Sequence, residues 1–398
     1  MSQTEVQLIK ADAVQTGDIA NSAVTDAKIS GIASSKLTGA LPAISGAALT
    51  NLPASGKAHN LIINGAMLVA QRGTSSTSEG YHTIDRCYVG SGGTDEAPTQ
   101  AQVDVASGTT PYTLGFRKAL RITNGNQTSG AGTADFMYLK YTFEAQDIAN
   151  SGWNYLSSSS YVTLSFWVKS SVAQSFKAYF HTRQGTEYQY PFETGSLSAD
   201  TWTKVTKTIS GNSNLTFNSD NGLGLELYIW SFIGTDYTAS SVTEDAWSTY
   251  ANAARMKDAT STWYTTNDAT LEFTGMQLEV GDSATDFEHR SFAQELQLCR
   301  RYYEALNPKL YILARYSHHD GAPYGQYHFN VQKRAAPTCS FDTTGGTFVS
   351  STGYSGNPSF TDTTVDATTI YGANSVSAGG ILYLHTSSGG LLKFEAEV

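Results

Sequence analysis

Tyr161-Val-Thr-Leu-Ser-Phe-Trp-Val-Lys169 alternates without a break. Val162, Leu164, Phe166 and Val168 fall on one side; Tyr161, Thr163, Ser165, Trp167 and Lys169 fall on the other. Successive side chains of an extended chain point to opposite faces, so this pattern marks a strand with one buried face. Residues 175–183 repeat it, with Phe176, Ala178 and Phe180 inward and Lys177, Tyr179 and His181 outward. Residues 223–230 repeat it again, Leu223, Leu225, Leu227 and Ile229 against Gly224, Glu226, Tyr228 and Trp230. Further strands are expected at 61–64, 119–123, 136–143, 202–209 and 270–280. Strands separated by Gly, Ser, Asn and Asp turns read as a β-sandwich or jelly roll rather than as βαβ units. One such domain is expected over residues 57–290, with the polar stretch 241–258 as a long loop holding a helical turn.

One helix is expected beyond it, over 291–306. Ser291 is placed to cap it, with Gln294 in the capping-box position. Phe292, Leu296, Cys299 and Tyr303 follow at i, i+4, i+7 and i+11, predicting one apolar stripe. Arg300 and Arg301 suit the negative end of the helix dipole, and Asn307-Pro308 stops the helix. The rest, 307–398, is rich in Gly, Thr and Ser and has short alternating runs at 309–316, 325–331, 347–350, 369–371, 381–385 and 391–398. It reads as a smaller β domain.

Upstream of the sandwich the rhythm changes. Ile9, Val14, Ile19, Val24 and Ile29 recur every five residues among Ala, Ser, Thr, Asp and Gly. Five matches neither the 3.6 period of a helix nor the 2.0 period of a strand. One copy has too few apolar groups to bury a core, whereas several copies wound together bury these side chains against each other. Residues 1–56 are therefore expected to form a thin, intertwined stem of a homo-oligomer. A disordered Ala/Ser-rich leader is the simpler alternative.

Composition agrees with a mainly β protein. Of 398 residues only 15% are charged, against roughly 25% in typical soluble domains, and 36 are glycine. Aromatic residues make up 12%, with 23 tyrosines and 6 tryptophans, which serve both as core and as contact platforms. The net charge of −10 and the absence of a Lys/Arg run argue against nucleic-acid binding. Three cysteines, Cys87, Cys299 and Cys339, lie far apart with no C-x-x-C, which disfavours a disulfide framework or a zinc site. No signal peptide and no apolar run of 18 residues is visible, so neither secretion nor membrane insertion is expected. Folding in a cytoplasm is expected, with export by other means if the protein acts outside a cell.

Several phrases carry a family resemblance. Asn60-Leu-Ile-Ile-Asn-Gly-Ala-Met67, Gln71-Arg72-Gly73 and Tyr81-His-Thr-Ile-Asp85-Arg86 resemble the opening of a module of bacteriophage tail-fibre and virion structural proteins. In that family Trp usually follows Asp-Arg; Cys87 stands here. Met276-Gln-Leu-Glu279-Val-Gly281, Ala284-Thr-Asp-Phe287-Glu288-His-Arg290 and Glu295-Leu-Gln-Leu-Cys299-Arg-Arg-Tyr302-Tyr303 resemble its close. Lys333-Arg-Ala-Ala-Pro337-Thr338 is similar to a phrase that follows it. The stem phrase Gly17-Asp-Ile-Ala-Asn-Ser-Ala-Val-Thr-Asp26-Ala-Lys-Ile29 is similar to phage-fibre N-termini. The resemblance implies a jelly roll like a carbohydrate-binding module, a homotrimer, and a virion mounting with the N-terminus at the particle.

Glycan sites in β-sandwiches use flat aromatic faces and neutral polar groups. Trp167, Tyr179, Tyr228 and Trp230, on the faces opposite the aliphatic ones, and Tyr188 and Tyr190, after a turn at Gly185, are the candidates. Burial under a second layer is the alternative for each. His318-His319-Asp320 with His328 hints at metal ligation, but adjacent strand histidines point apart, so no metal or other cofactor is expected. No nucleophile elbow, H-E-x-x-H or Walker loop appears. The carboxylate pairs Glu193/Asp200, Glu244/Asp245 and Asp282/Asp286 establish no cleft, so no catalytic residue is assigned.

The expected function is a phage tail fibre that attaches the virion to the host surface through glycans or an envelope protein. It is expected to act as a homotrimer, joined to other virion proteins by its stem, and not as an enzyme. A structural fibre, decoration or adaptor protein without a receptor site is one alternative. A tailspike-type glycan hydrolase is the other.

Overall fold

In the computed structural model, residues 60–260, 262–306, 312–314, 324–342, 348–349, 359–371, 382–386 and 391–397 are described. The repeat residues Ile9, Val14, Ile19, Val24 and Ile29 lie outside them, as do His318, His319 and Asp320.

The first twelve strands are β1 (Ser75–Ser76), β2 (Cys87–Gly92), β3 (Thr99–Asp104), β4 (Lys118–Thr123), β5 (Phe136–Glu144), β6 (Tyr161–Ser170), β7 (Lys177–Thr182), β8 (Tyr188–Glu193), β9 (Thr203–Ser210), β10 (Leu223–Ile233), β11 (Ser248–Thr249) and β12 (Thr270–Val280). They form two six-stranded sheets, ordered β1-β3-β4-β12-β6-β9 and β11-β8-β7-β10-β5-β2. Each strand pairing in both is antiparallel. Leu164, Phe166, Val168, Leu271 and Phe273 of the first sheet meet Leu139, Phe143, Phe180, Leu227 and Ile229 of the second in one buried core. Each such side chain contributes about 1.5–3 kcal/mol by leaving water. The alternation at 161–169, 175–183 and 223–230 thus reads out as the inner faces of this sandwich.

Two local expectations differ from the structure. Residues 61–64 form a turn rather than a strand, because two asparagines clasp it. Asn60 Oδ1 accepts from the N–H groups of Ile62 and Leu278, and its amide donates to the Met276 carbonyl at 3.0 Å. Asn64 sits at φ 62°, where its side chain exchanges two 2.9 Å hydrogen bonds with the Val69 backbone.

The helix also differs: α3 (Phe292–Arg300), which follows the short α1 (Thr110–Thr113) and α2 (Ala145–Ala149), stops six residues before the expected end at 306. Its capping box between Ser291 and Gln294 is present. The expected apolar stripe is not. Cys299 is buried, but Phe292 is 57% exposed and Glu295 turns inward instead, accepting from the Asn64 N–H at 2.7 Å. Tyr302 sits in the turn that closes the helix, its N–H donating to the Cys299 carbonyl, and Tyr303 opens the strand that follows; both are buried.

The described residues of the C-terminal part form three three-stranded sheets, built from β13 (Tyr303–Leu306), β14 (Ile312–Ala314), β15 (Tyr324–His328), β16 (Thr338–Asp342), β17 (Phe348–Val349), β18 (Ser359–Thr361), β19 (Ala367–Tyr371), β20 (Leu382–Thr386) and β21 (Leu391–Glu395). The sheet β13-β21-β16 connects to the sandwich through charged groups, most of them buried. Arg72 lies 3.6 Å from the centre of the Tyr303 ring and within 3.3 Å of both Glu395 and Glu397. Arg86, 1% exposed, pairs with Glu397 and donates to the Thr142 carbonyl at 2.6 Å. Glu144 accepts from Arg301 twice at 2.7 Å and from the Tyr302 hydroxyl at 2.6 Å. Burial works to raise the Glu144 carboxyl, but Arg301 and Tyr302 outweigh it and hold it below its usual range. Lys333 and Glu304 pair at 2.6 Å with both side chains fully buried. Arg334 donates to the carbonyls of Asn221, Ala396 and Glu397. Arg72, Arg86, Arg301, Tyr302, Tyr303, Lys333 and Arg334 of this seam fall in the quoted phrases, whereas their anionic partners Glu144, Glu304, Glu395 and Glu397 do not.

Candidate functional site

The outer face of the second sheet is where sequence alternation gathers aromatic groups. Leu225, Leu227 and Ile229 of β10 fill the core, which turns Glu226, Tyr228 and Trp230 outward. The same logic turns Tyr179 and His181 of β7, Phe136, Tyr138 and Lys140 of β5, and Tyr88 of β2 to that face. Register then sets them side by side: Tyr88, Lys140, Tyr228 and Tyr179 form one row, and Gly90, Tyr138, Trp230 and Lys177 the next.

The rings form a contiguous platform. Tyr179 and Tyr228 stack at 4.9 Å with planes 4° apart, and Tyr228 and Trp230 at 5.6 Å and 12°. Tyr138 meets Tyr228 and Trp230 edge-on at 5.1 and 4.9 Å, and lies nearly parallel to Tyr88 at 6.2 Å. Two glycines admit the rings: a Cβ on Gly90 would lie 2.3 Å from Tyr138 Cζ, and one on Gly92 2.5 Å from Phe136 Cζ. Such approaches are closer than any carbon contact allows.

A segment across one end limits access. Tyr237, Tyr250, Arg255 and Met256 pack onto Tyr179 and Trp230, leaving those two only 1% exposed. Tyr250 stacks on His181 at 4.0 Å. Phe136, Tyr138, Tyr228 and Tyr88 remain half-buried, with one side of the cluster facing water. Lys140 Nζ lies 4.7 Å from the Tyr88 ring centre and 3.3 Å from the buried Glu226 carboxylate, to which the Tyr228 hydroxyl also donates at 3.3 Å. Arg183 approaches the same carboxylate at 3.5 Å. Burial and then Arg183 hold the His181 imidazole below its usual range, despite its 2.9 Å contact with Glu187. Burial, reinforced by Glu79, pushes the Tyr88 phenol up to about 12, and burial raises those of Tyr138 and Tyr228. These hydroxyls are therefore neutral hydrogen-bonding groups at physiological pH. A partly apolar face of rings edged by neutral hydroxyls and compensated charges is suited to a neutral polyhydroxylated ligand.

Three of the six sequence candidates, Tyr179, Tyr228 and Trp230, come together here, and only Tyr228 of them reaches the surface. Trp167 lies on the other sheet, half-buried against the cluster around Phe116 and Trp202. Tyr188 packs at the edge of the inter-sheet core. Tyr190 does not face outward: β8 pairs it with Phe180, so it is 5% exposed in the core with Trp247 on its edge. Tyr88, Tyr138 and Phe136 were missed as site residues. The signal for Tyr138 was present, since it alternates with Met137 and Leu139 in a recognised strand. Among the described residues no cluster of three metal-ligating side chains occurs. No helix there is long and apolar enough to cross a membrane.

No family model matches the chain, and no curated protein matches it. Among solved structures, it is similar to the enzymatically active domain of bacteriophage CBA120 tailspike protein 4, at 10% identity over 56% of this chain and 21% of that one, with a TM-score of 0.29. It is similar to the N-terminal cellulose-binding domain of Cellulomonas fimi β-1,4-glucanase C, at 11% identity over 55% of this chain and 99% of that one, with a TM-score of 0.25. The family 11 carbohydrate-binding module from Clostridium thermocellum, in complex with a β-1,3-1,4-mixed-linked tetrasaccharide, gives 10% identity over 54% and 98%, with a TM-score of 0.24. The chain is thus a mainly β protein with a β-sandwich, distantly similar in structure to carbohydrate-binding modules and to a phage tailspike domain.

Proposed function

We propose that this chain is a subunit of a bacteriophage tail fibre that attaches the particle to its host through a surface glycan. The observation that carries the reading is the ring cluster of Tyr88, Tyr138 and Tyr228, half-buried on a sheet face with the hydrogen-bonding edge of Lys140 and Glu226. Sugar rings would lie on the aromatic faces while their hydroxyls bond to that edge. The chain acts by adhesion, without catalysis. A trimer joined through the 1–56 stem repeats the contact, and repetition supplies avidity that one shallow face lacks. The stem joins other virion proteins.

Adsorption of the purified full chain to host cells, and its competition by host polysaccharide, tests this. Tyr88→Ala/Tyr138→Ala is expected to weaken binding at least tenfold with the circular dichroism spectrum unchanged. Full binding by that variant would exclude the ring face as the glycan contact.

A second reading is favoured by the burial of Tyr179 and Trp230 under the 237–256 segment. In it the protein is a structural or adaptor fibre, and a neighbouring virion protein covers the ring cluster. A map of the intact particle separates the two, since adhesion requires this face to be free. New reducing ends released from host capsule would instead support a hydrolase.

A further inference from the structure

Neither Lys333 nor Glu304 exposes its side chain, and Lys333 Nζ lies 2.6 Å from Glu304 Oε2. Glu304 belongs to β13, paired with Phe394 across the ladder. Lys333 lies 29 positions further on, in the segment between β15 and β16. The surroundings are apolar. The Phe329 ring centre is 5.0 Å from Nζ, and Phe329 packs with Ile370, Leu392 and Phe394. The remaining valences of the pair are also directed. Glu304 Oε1 accepts from the Tyr327 hydroxyl at 3.1 Å and from the Asn330 amide, while Nζ donates to the Arg300 carbonyl at 2.5 Å.

In water an ammonium and a carboxylate do not condense, because both are ionised and hydrated. Out of water the ionised pair loses that hydration, which narrows its advantage over the neutral amine and acid. Burial, aided by Arg300, already pulls the Lys333 amine below its usual range despite Glu304. A desolvated neutral amine is a nucleophile. Tyr327 and Asn330 fix two donors on Oε1, where charge develops when a nucleophile adds to the carboxyl carbon. Burial and then Glu304 raise the Tyr327 phenol, so it keeps its proton.

We infer that Lys333 and Glu304 condense to an isopeptide bond inside the folded chain. One ammonium proton passes to Oε2. The lone pair of Nζ then adds to Cδ, and Oε1 takes the negative charge against Tyr327 and Asn330. A second proton moves from Nζ to the Oε2 hydroxyl, the Oε1 double bond re-forms, and the Cδ–Oε2 bond breaks to release water. An amide with one N–H remains, and nothing is oxidised or reduced. Only the minor neutral form reacts, so newly folded chain holds the ion pair and the bond accumulates with time. The product closes a covalent loop between positions 304 and 333, which restricts the unfolded state as a disulfide does.

Intact mass spectrometry of the full chain tests this, on fresh protein and after prolonged incubation at neutral pH. The expected result is progressive loss of one water and, after digestion, a branched tryptic peptide joining 302–309 to 316–334. Lys333→Arg keeps the cation without the nucleophilic amine and is expected to hold its full mass. Chain kept unfolded in guanidinium is expected to hold it as well. A folded chain whose mass stays constant overturns the inference. So does equal water loss in Lys333→Arg, or a water loss that maps to other residues. Loss of ammonia instead of water would make the Asn330 amide the acceptor and overturns the assignment to Glu304.

Discussion

The guanidinium carbon of Arg86 lies 3.5 Å from the centre of the Tyr302 ring, although 216 positions separate the two in sequence. The same arginine pairs with Glu397, so one cation joins the sandwich, the segment after α3 and the last described residues. A buried charge stripped of its partner is costly. Arg86→Met leaves Glu397 without its closest cation and is expected to lower unfolding stability by about 3–5 kcal/mol. Urea unfolding followed by tryptophan fluorescence measures it, and a loss below about 1 kcal/mol would show that the seam contributes little.

Lys333 and Glu304 allow a cleaner test, because both are fully buried. Burial pulls the Lys333 amine below its usual range even against Glu304. Lys333→Met alone is expected to cost about 3–5 kcal/mol, since Glu304 is then buried unpaired. Lys333→Met/Glu304→Leu is expected to recover most of that loss, leaving the Tyr327 hydroxyl short of its acceptor. A double variant as unstable as the single one would mean the pair is not coupled.

Asp85 predicts a pH dependence. Its burial outweighs Gln71 and Arg72 and raises its carboxyl to about 6. The folded state therefore binds this proton more tightly than the unfolded chain does. Stability is favoured while the group is protonated and falls as pH rises from about 4 to 6, by about 3 kcal/mol in all. Asp85→Asn cannot ionise and lacks this slope. Denaturation midpoints of the two proteins at pH 4, 5, 6 and 7 are expected to shift relative to each other across that window and run parallel above it. Parallel behaviour throughout would place the Asp85 carboxyl near its ordinary value.

Trp230 and Tyr138 touch, yet their removal should read out differently. Trp230 is 1% exposed, so Trp230→Ala leaves a cavity and is expected to cost about 3–5 kcal/mol. Gly90→Val acts on the neighbouring ring from below, displacing Tyr138 from the strand it lies over. It is expected to reduce host-cell binding as Tyr138→Ala does. Gly90→Val binding like the unaltered protein would show that the ring's position is immaterial.

The sandwich was legible because its strands have one wet and one dry face, and 161–169, 175–183 and 223–230 carry that difference in single residues. Strands β2 and β3 were missed: Cys87–Gly92 ends in glycines, and Thr99–Asp104 is mostly polar. Those glycines earn their place through rings on another strand, which spacing along one strand cannot reveal. α3 misled for a related reason. Glu295 is buried because Asn64, 231 positions away, needs an acceptor, and that demand outweighs the local apolar rhythm. That Tyr179 and Trp230 are closed off from water likewise depends on a separate segment, 237–256, laid over them.

The bond between Arg86 and Glu397 also has a temporal side. Residues leave the ribosome in order, and β12, which completes the sandwich, ends at Val280, 117 positions before Glu397. At about 5–20 residues per second, the nascent sandwich waits roughly 6–23 s for the anion that neutralises its interior arginine. During that interval the newborn domain is a natural client for chaperones, and translation pauses beyond Val280 would lengthen its exposure.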